Sequence, residues 1–224
     1  MSPRSDLKYL IDHGHSPDIM SSIAGNASAF IKEAAVRWFM LLDVRGSTSF
    51  GHLTRARMEV KEVSIEHSPD DPQKMSSKMV CELEVTPGEQ RTSWPELLSF
   101  KELMNRNELE MCNEEGVLSQ GCMTGIMDEG SAISLLLMRL LEDENQSIGV
   151  SQTFSFFFHH PAPPAGSKIR IVSRSVSATD DIGCCQSEIW DIKNHRLIVT
   201  GTQHQMKPSI VGDSASVHNR KTKL

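Results

Sequence analysis

Near the start of the chain, apolar residues recur at three- and four-residue spacing, which is the period of one face of an α-helix. The spacing predicts an amphipathic helix over residues 26–43, with Asn26 available as its N-cap. Its apolar face comprises Ala27, Phe30, Ile31, Ala34, Trp38, Leu41 and Leu42. We expect the helix to pack on a core with that one face.

Alternation of apolar and charged residues then predicts strands. After Met58 and Val60 the apolar parity shifts to Val63 and Ile65, which indicates a bulge or an edge strand. A second alternating run ends at the turn signal Pro87-Gly88 and has apolar residues at Met79, Cys81, Leu83 and Val85. Four further strand-like runs lie near residues 150–159, 168–177, 183–192 and 196–206.

The segment from Gly121 to Leu141 differs from the first helix, because apolar residues occupy every side of it. A helix that is apolar all round is a buried one. Before it, residues 91–110 indicate a surface excursion with a helix of its own, opened by a capping box at Ser93 and Glu96. The order of elements predicts an α+β fold, in which an antiparallel sheet wraps around a long buried central helix.

This order divides the 224 residues into three parts. Residues 1–49 form a helical N-terminal extension, and residues 50–208 form one α+β domain that carries the helical insertion over about 91–110. Residues 209–224 show no periodicity and are expected to form a flexible C-terminal tail.

The charge balance narrows the classes of partner and compartment. Lys and Arg total 23 against 29 Asp and Glu, a formal charge of −6 with no basic block in the body of the chain, which argues against nucleic acid and anionic membranes as partners. The longest apolar run, residues 135–138, is too short to span a bilayer. The five cysteines include no CxxC pair, which indicates reduced thiols. We expect a soluble, cytoplasmic protein. The C-terminal Thr-Lys-Leu resembles a Ser-Lys-Leu address, which leaves the peroxisome as the alternative.

Residues at the start of the buried helix combine backbone donors for an oxyanion with a nearby carboxylate. Free backbone N–H groups at a helix N-terminus stabilise an oxyanion, and Gln120 and Gly121 stand where this helix begins. A carboxylate takes a proton from water or attacks directly. Asp128 lies seven residues past Gly121, about two helical turns on and therefore on about the same face. Glu129 is the alternative inward acid, and a purely structural acid is the other interpretation.

The segment Asn113-Glu-Glu-Gly116-Val-Leu-Ser119-Gln120-Gly121, followed by Asp128, resembles a motif of the hotdog-fold thioesterases of the phenylacetyl-CoA and acyl-CoA type. In that family Asn-x-x-Gly-x-x-His-Gly-Gly leads into the central helix, which carries an acid nine positions after the His, as Asp128 follows Ser119 here. The resemblance covers roughly residues 50–208. The sequence departs from the family motif at Ser119 and Gln120, which stand in place of its His-Gly pair.

The resemblance also implies roles around the motif. Asn113 would orient the thioester carbonyl, and Ser151, which opens a strand after Gly149-Val150, would help to position the attacking water. The stretch that includes His159, His160 and Pro161 is similar to the loop along which the family's CoA arm lies.

Four more residues are candidates for substrate binding, and each of them also has a purely structural interpretation. Phe154 and Phe156 belong to a cluster of four phenylalanines within five residues, which either packs in the core and interface or walls an acyl pocket. Lys168 and Arg174 either meet CoA phosphates or form a solvated strand face.

The resemblance therefore implies a thioester hydrolase that releases a carboxylic acid from an acyl-CoA or from an acyl group on a carrier protein. Asp128 would act as general base or nucleophile, with no metal or redox cofactor. Because the sheet of such a fold has an edge that subunits share, we expect a homodimer or homotetramer with the active site between protomers. The first alternative is a non-hydrolytic acyl-binding or accessory protein, since Ser119 replaces the family's His. The second is hydration or dehydration of an enoyl or hydroxyacyl thioester.

Overall fold

The structure, a computed structural model, describes residues 17–44, 54, 57–67, 71–86, 111–143, 146, 148–179 and 181–207. Two helices come first, α1 (Pro17–Ser22) and α2 (Ala29–Val44), followed by strands β1 (Glu59–His67) and β2 (Met75–Glu84). The long helix α3 (Gln120–Glu142) comes next. Four strands follow it: β3 (Val150–Phe158), β4 (Lys168–Ala178), β5 (Ile182–Asp191) and β6 (Arg196–Met206).

The six strands form one antiparallel sheet in the order β1-β2-β4-β5-β6-β3. Helix α3 packs across one face of this sheet, and its buried residues lie on every side of it, as its sequence predicts. The predicted α+β architecture is confirmed. The parity shift in the first strand also has its predicted cause, because the pairing of β1 with β2 shifts register between Val60 and Glu62 and β1 lies at one end of the sheet.

Small residues let α3 approach the sheet closely. A Cβ added to Gly130 would lie 2.9 Å from the Ser173 hydroxyl of β4, closer than real Cβ contacts. Further along the helix, the hydroxyl of Ser134 lies 2.7 Å from that of Ser77 on β2. Both serines are fully buried, and their hydroxyls satisfy each other, as buried polar groups require.

Helix α2 confirms the predicted amphipathic helix but not its start. The helix begins at Ala29, and the Ser28 hydroxyl accepts a hydrogen bond from the N–H of Ile31. The prediction that Asn26 is the N-cap was therefore wrong. Its side-chain amide instead bonds both backbone groups of Ile65 on β1, at 2.9 and 2.7 Å, and so fixes the N-terminal segment to the edge of the sheet.

Several predicted features lie outside the described residues. They are the first part of the N-terminal extension, the insertion over 91–110, and the tail with its Thr-Lys-Leu end. The division into three parts stays a prediction for that reason. Across the part of the chain that the structure describes, no helix is long and apolar enough to cross a membrane.

Candidate active site

The loop that leads into α3 is shaped by Asn113. Its side-chain oxygen accepts the N–H groups of Glu115 and Val117, at 3.1 and 3.2 Å. Gly116 stands in the left-handed region at φ +73°, which favours glycine and completes the turn. Because the Asn113 oxygen is occupied by the backbone, its exposed NH₂ group is the end of the amide that remains to donate to a ligand.

Ser119 caps α3. Its hydroxyl accepts the N–H of Cys122 at 3.1 Å, and its carbonyl accepts the N–H of Met123 at 3.0 Å. The N–H groups of Gln120 and Gly121 find no acceptor among the described residues, as expected for the first positions of a helix. The structure thus places the two predicted oxyanion donors at an exposed helix start.

The loop after β3 lies against this motif. The N–H of Leu118 donates to the carbonyl of Pro163, and the N–H of Ala165 donates to the carbonyl of Gly116. The two predicted histidines of the loop are tied to β6, through Thr200 for His159 and through the Leu197 carbonyl for His160. Both are exposed, as is Pro161 beside them. The predicted CoA loop and the oxyanion motif are therefore neighbours.

Asp128 lies on the side of α3 that faces β3 and β6. The hydroxyl of Ser151 donates to its Oδ1 at 2.8 Å, and the side-chain amide of Gln203 donates to the same oxygen at 2.6 Å. Among the described residues, no group donates to Oδ2. One carboxylate oxygen is thus held by two donors, and the other has none among the described residues.

Gln203 is the member of this cluster that sequence reasoning missed. It lies in the C-terminal half of β6, is 1% exposed and also donates to the Ser151 hydroxyl at 2.8 Å. A signal for it exists in the sequence, since Gln203 and Gln205 occupy the positions of β6 that alternation buries. Buried amides need partners, and Asp128 and Ser151 supply them for Gln203.

Two solved structures share this arrangement of helix and sheet. The zebrafish thioesterase superfamily member 2 matches with a TM-score of 0.50 at 16% sequence identity, covering 76% of this chain and 96% of that one. The member 2 protein from Mus musculus matches with a TM-score of 0.50 at 14% identity, covering 82% of this chain and 100% of that one. The chain has the thioesterase-like hotdog fold. No protein-family model and no curated protein matches the sequence.

Glu129, the acid next to Asp128 on α3, has a different environment. The indole N–H of Trp38 on α2 donates to Glu129 at 3.4 Å, whereas Asp128 meets the strands. The two acids therefore face different elements. Asp128 is the one beside Ser151.

Two stacked aromatic rings lie on β3, across from β6. The rings of Phe154 and Phe156 stack with centroids 5.2 Å apart and planes at 10°. Their cross-strand partners are Gln203 and Gly201. A Cβ on Gly201 would lie 2.8 Å from the Met127 methyl and 2.9 Å from the Phe156 ring, so this glycine makes room where the helix and the ring meet.

Lys168 and Arg174 lie on the opposite face of the hotdog sheet. Ile169, Ile171 and Ser173 of β4 are buried on the α3 side, and the two basic residues alternate with them. The guanidinium of Arg174 lies 3.9 Å from the carboxylate of Glu188. The structure thus does not bring these residues to Asp128, and their contact with CoA phosphates stays a prediction.

The cysteines near the motif are packing residues in this structure. Burial raises the pKa of the Cys122 thiol to about 11 and raises that of Cys112 as well. A thiol with a raised pKa stays protonated at neutral pH, and the thiolate is the nucleophilic form. Asp128 is consequently the better candidate for attack or proton transfer at this site.

Proposed function

We propose that the chain is a thioester hydrolase that releases a carboxylic acid from an acyl-CoA or an acyl group on a carrier protein. The observation that carries this proposal is the Asp128 carboxylate, which two donors hold by Oδ1 beside the edge strand of a thioesterase-like fold. A held carboxylate with one open oxygen suits both ways of opening a thioester.

In the general-base route, Oδ2 of Asp128 takes a proton from water while the water oxygen attacks the thioester carbon. The carbonyl oxygen becomes an oxyanion, which the N–H groups of Gln120 and Gly121 stabilise. The intermediate then expels the thiolate, and the proton on Asp128 passes to it. In the nucleophilic route, Oδ2 attacks the carbon itself, the thiolate leaves and is protonated by solvent, and water hydrolyses the resulting mixed anhydride.

Both routes need a second copy of the chain. Gly121 and Asp128 are seven residues apart on α3, which separates their backbones by about 10 Å along the helix axis. Because helical N–H groups point toward the N-terminus, a carbonyl bound to the Gly121 N–H lies still further from Asp128, beyond the reach of Oδ2 or of one water on Oδ2 within the same chain. We therefore infer that the amides of one protomer face Asp128 of another, which fits the predicted homodimer or homotetramer.

The free edge of β3 is the surface that supports such an assembly. Within the described sheet, β3 pairs only with β6, so its other edge is open to another strand. Val150, Phe157 and Phe158 on this strand are exposed at 52%, 68% and 43%. Joining two such edges would extend the sheet across the dimer and bring the Ser151 regions of two copies together.

The acyl chain and the CoA arm have separate places in this proposal. Phe154 is the cross-strand partner of Gln203, which binds Asp128, so the stacked rings of Phe154 and Phe156 would line the acyl group. The loop of His159, His160 and Pro161 lies beside the oxyanion motif, where a CoA arm would lead to the carbonyl. No metal or redox cofactor takes part in the proposed reaction.

Replacing Gly121 with Ala tests the oxyanion site without disturbing the fold. In the described part of the chain, nothing lies within 4 Å of the added Cβ. Because Ala is the better helix former, the free energy of unfolding should stay the same or rise by up to about 1 kcal/mol. The methyl group would displace the substrate carbonyl, and a misplacement of 1 Å costs about 10²-fold in rate. Urea unfolding and turnover of the same preparation would show that the variant is at least as stable as the wild type but slower.

The proposed reaction is tested by thioester cleavage, followed through release of the free thiol. A panel of short, long and aromatic acyl-CoAs, with an acyl-carrier protein, should contain at least one substrate that the wild type cleaves and Asp128→Asn does not. Saturable binding of the same panel without turnover would instead identify the acyl-binding alternative.

A further inference from the structure

We propose that Gln203 is a positioning residue of this site, which sets the plane of the Asp128 carboxylate and the direction of the Ser151 hydroxyl. The inference rests on the proposed function, since it concerns the rate of that reaction. Gln203 does not touch the substrate in this account. It acts through Asp128 and Ser151.

The orientation of the Gln203 amide follows from its neighbours. An ionised carboxylate can only accept, so the amide atom 2.6 Å from Asp128 Oδ1 must be the NH₂ nitrogen. The other end, the carbonyl oxygen, lies 2.5 Å from the hydroxyl of Ser131. Ser131 is itself on α3, one turn beyond Asp128, and is buried. The helix therefore holds both ends of the amide, one through each residue.

The two hydrogens of the Gln203 nitrogen have separate acceptors. One goes to Asp128 Oδ1 at 2.6 Å, and the other goes to the Ser151 hydroxyl at 2.8 Å. Since that hydroxyl now accepts from Gln203, its own proton is directed to Asp128 Oδ1, 2.8 Å away. Both donors meet the same carboxylate oxygen. Oδ2 is consequently the oxygen without a donor among the described residues, and in the proposed reaction it is the one that meets water or the substrate.

Gln203 is also the member of the cluster that solvent reaches least. Ser151 is exposed on an edge strand and Asp128 is half-buried, whereas Gln203 is 1% exposed on an interior strand. Hydrogen bonds in a buried setting resist competition from water. An edge serine alone would leave the carboxylate free to rotate, and Gln203 removes that freedom.

The test compares two buried glutamines of the same strand face. Gln203→Leu keeps the side-chain volume and removes both donors; it should lower kcat by about 10- to 100-fold, the usual effect of losing a residue that orients a reacting group, and change KM by less than about threefold. Gln205→Leu is the matched control, because Gln205 is 0% exposed and its amide has no hydrogen-bond partner among the described residues. That variant should keep wild-type kcat and KM.

Ser131→Ala alone is a second variant that can be read even if Gln203→Leu folds poorly. The Ser131 hydroxyl reaches the carboxylate through Gln203, and its other acceptors are the backbone carbonyls of Met127 and Asp128 on its own helix. Its loss should therefore lower kcat several-fold in the wild type and, where Gln203→Leu folds, have no effect in that background. Additive losses, or equal losses for both glutamine variants, would overturn the inference alone. A wild type that cleaves no thioester would overturn the proposed function, and the positioning role with it.

Discussion

Asp128→Asn should lower kcat for thioester cleavage by about 10²- to 10⁴-fold, the range that a positioned base contributes. The substitution removes the charge and the proton acceptor but keeps the shape. Its side-chain oxygen can still accept from Ser151 and Gln203 as Oδ1 does now. Stability should therefore change by less than about 1 kcal/mol. Steady-state kinetics and urea unfolding on the same protein measure the two effects.

Glu129→Gln is the matched control for this variant. The residue is adjacent on α3, but its carboxylate faces Trp38 on α2 and not the Ser151 cluster. We expect turnover within about twofold of the wild type, as for a change outside the reacting groups. Loss of activity in Glu129→Gln, with retention in Asp128→Asn, would assign the reaction to the other acid and contradict the account.

The second large effect is restoration of activity by mixing two inactive variants. One carries Asp128→Asn and the other carries Gly121→Leu, whose side chain would fill the carbonyl site. If the site combines two copies, each mixed dimer contains one site with neither change. Random mixing makes half of the dimers mixed, so about one quarter of wild-type activity should return.

The mixture is best prepared by co-expression with two different affinity tags, so that mixed dimers can be isolated. Light scattering on each variant alone confirms that assembly is unchanged. Activity equal to the sum of the two separate variants would show that Gly121 and Asp128 serve the same chain, and would contradict the shared site.

The sequence predicts the sheet and the buried helix well, because both rest on strong periodicities. Helix α3 was expected over residues 121–141 and extends over Gln120–Glu142, and the last strand has its predicted bounds, Arg196–Met206. Local hydrogen-bond choices were harder to predict. Asn26 and Ser28 are both good N-caps, and the selection of Ser28 depends on Asn26 binding Ile65, which is 39 residues away.

The site shows the same division. Asp128 and Ser151 could be proposed from a motif and a helical face, and the structure brings them to 2.8 Å. The burial of Gln203 can be read from the alternation of β6, but its contact with Asp128 could not be predicted, because it joins residues 75 positions apart and depends on how α3 packs on β6. Gly121 and Asp128 do share a helical face, but the rise of the helix separates them along its axis, which is why we propose that a second copy completes the site.

The most direct test of the shared thioester site is a crystal structure with an acyl-CoA analogue in which a methylene replaces the thioester sulfur. We expect the analogue's carbonyl carbon to face Oδ2 of Asp128, about 3–3.5 Å away if the carboxylate attacks directly, or with one water between them if it acts as a base. Its oxygen should accept the N–H of Gly121 from a second copy. A carbonyl bound away from Asp128, or reached by both groups of one copy, would contradict it.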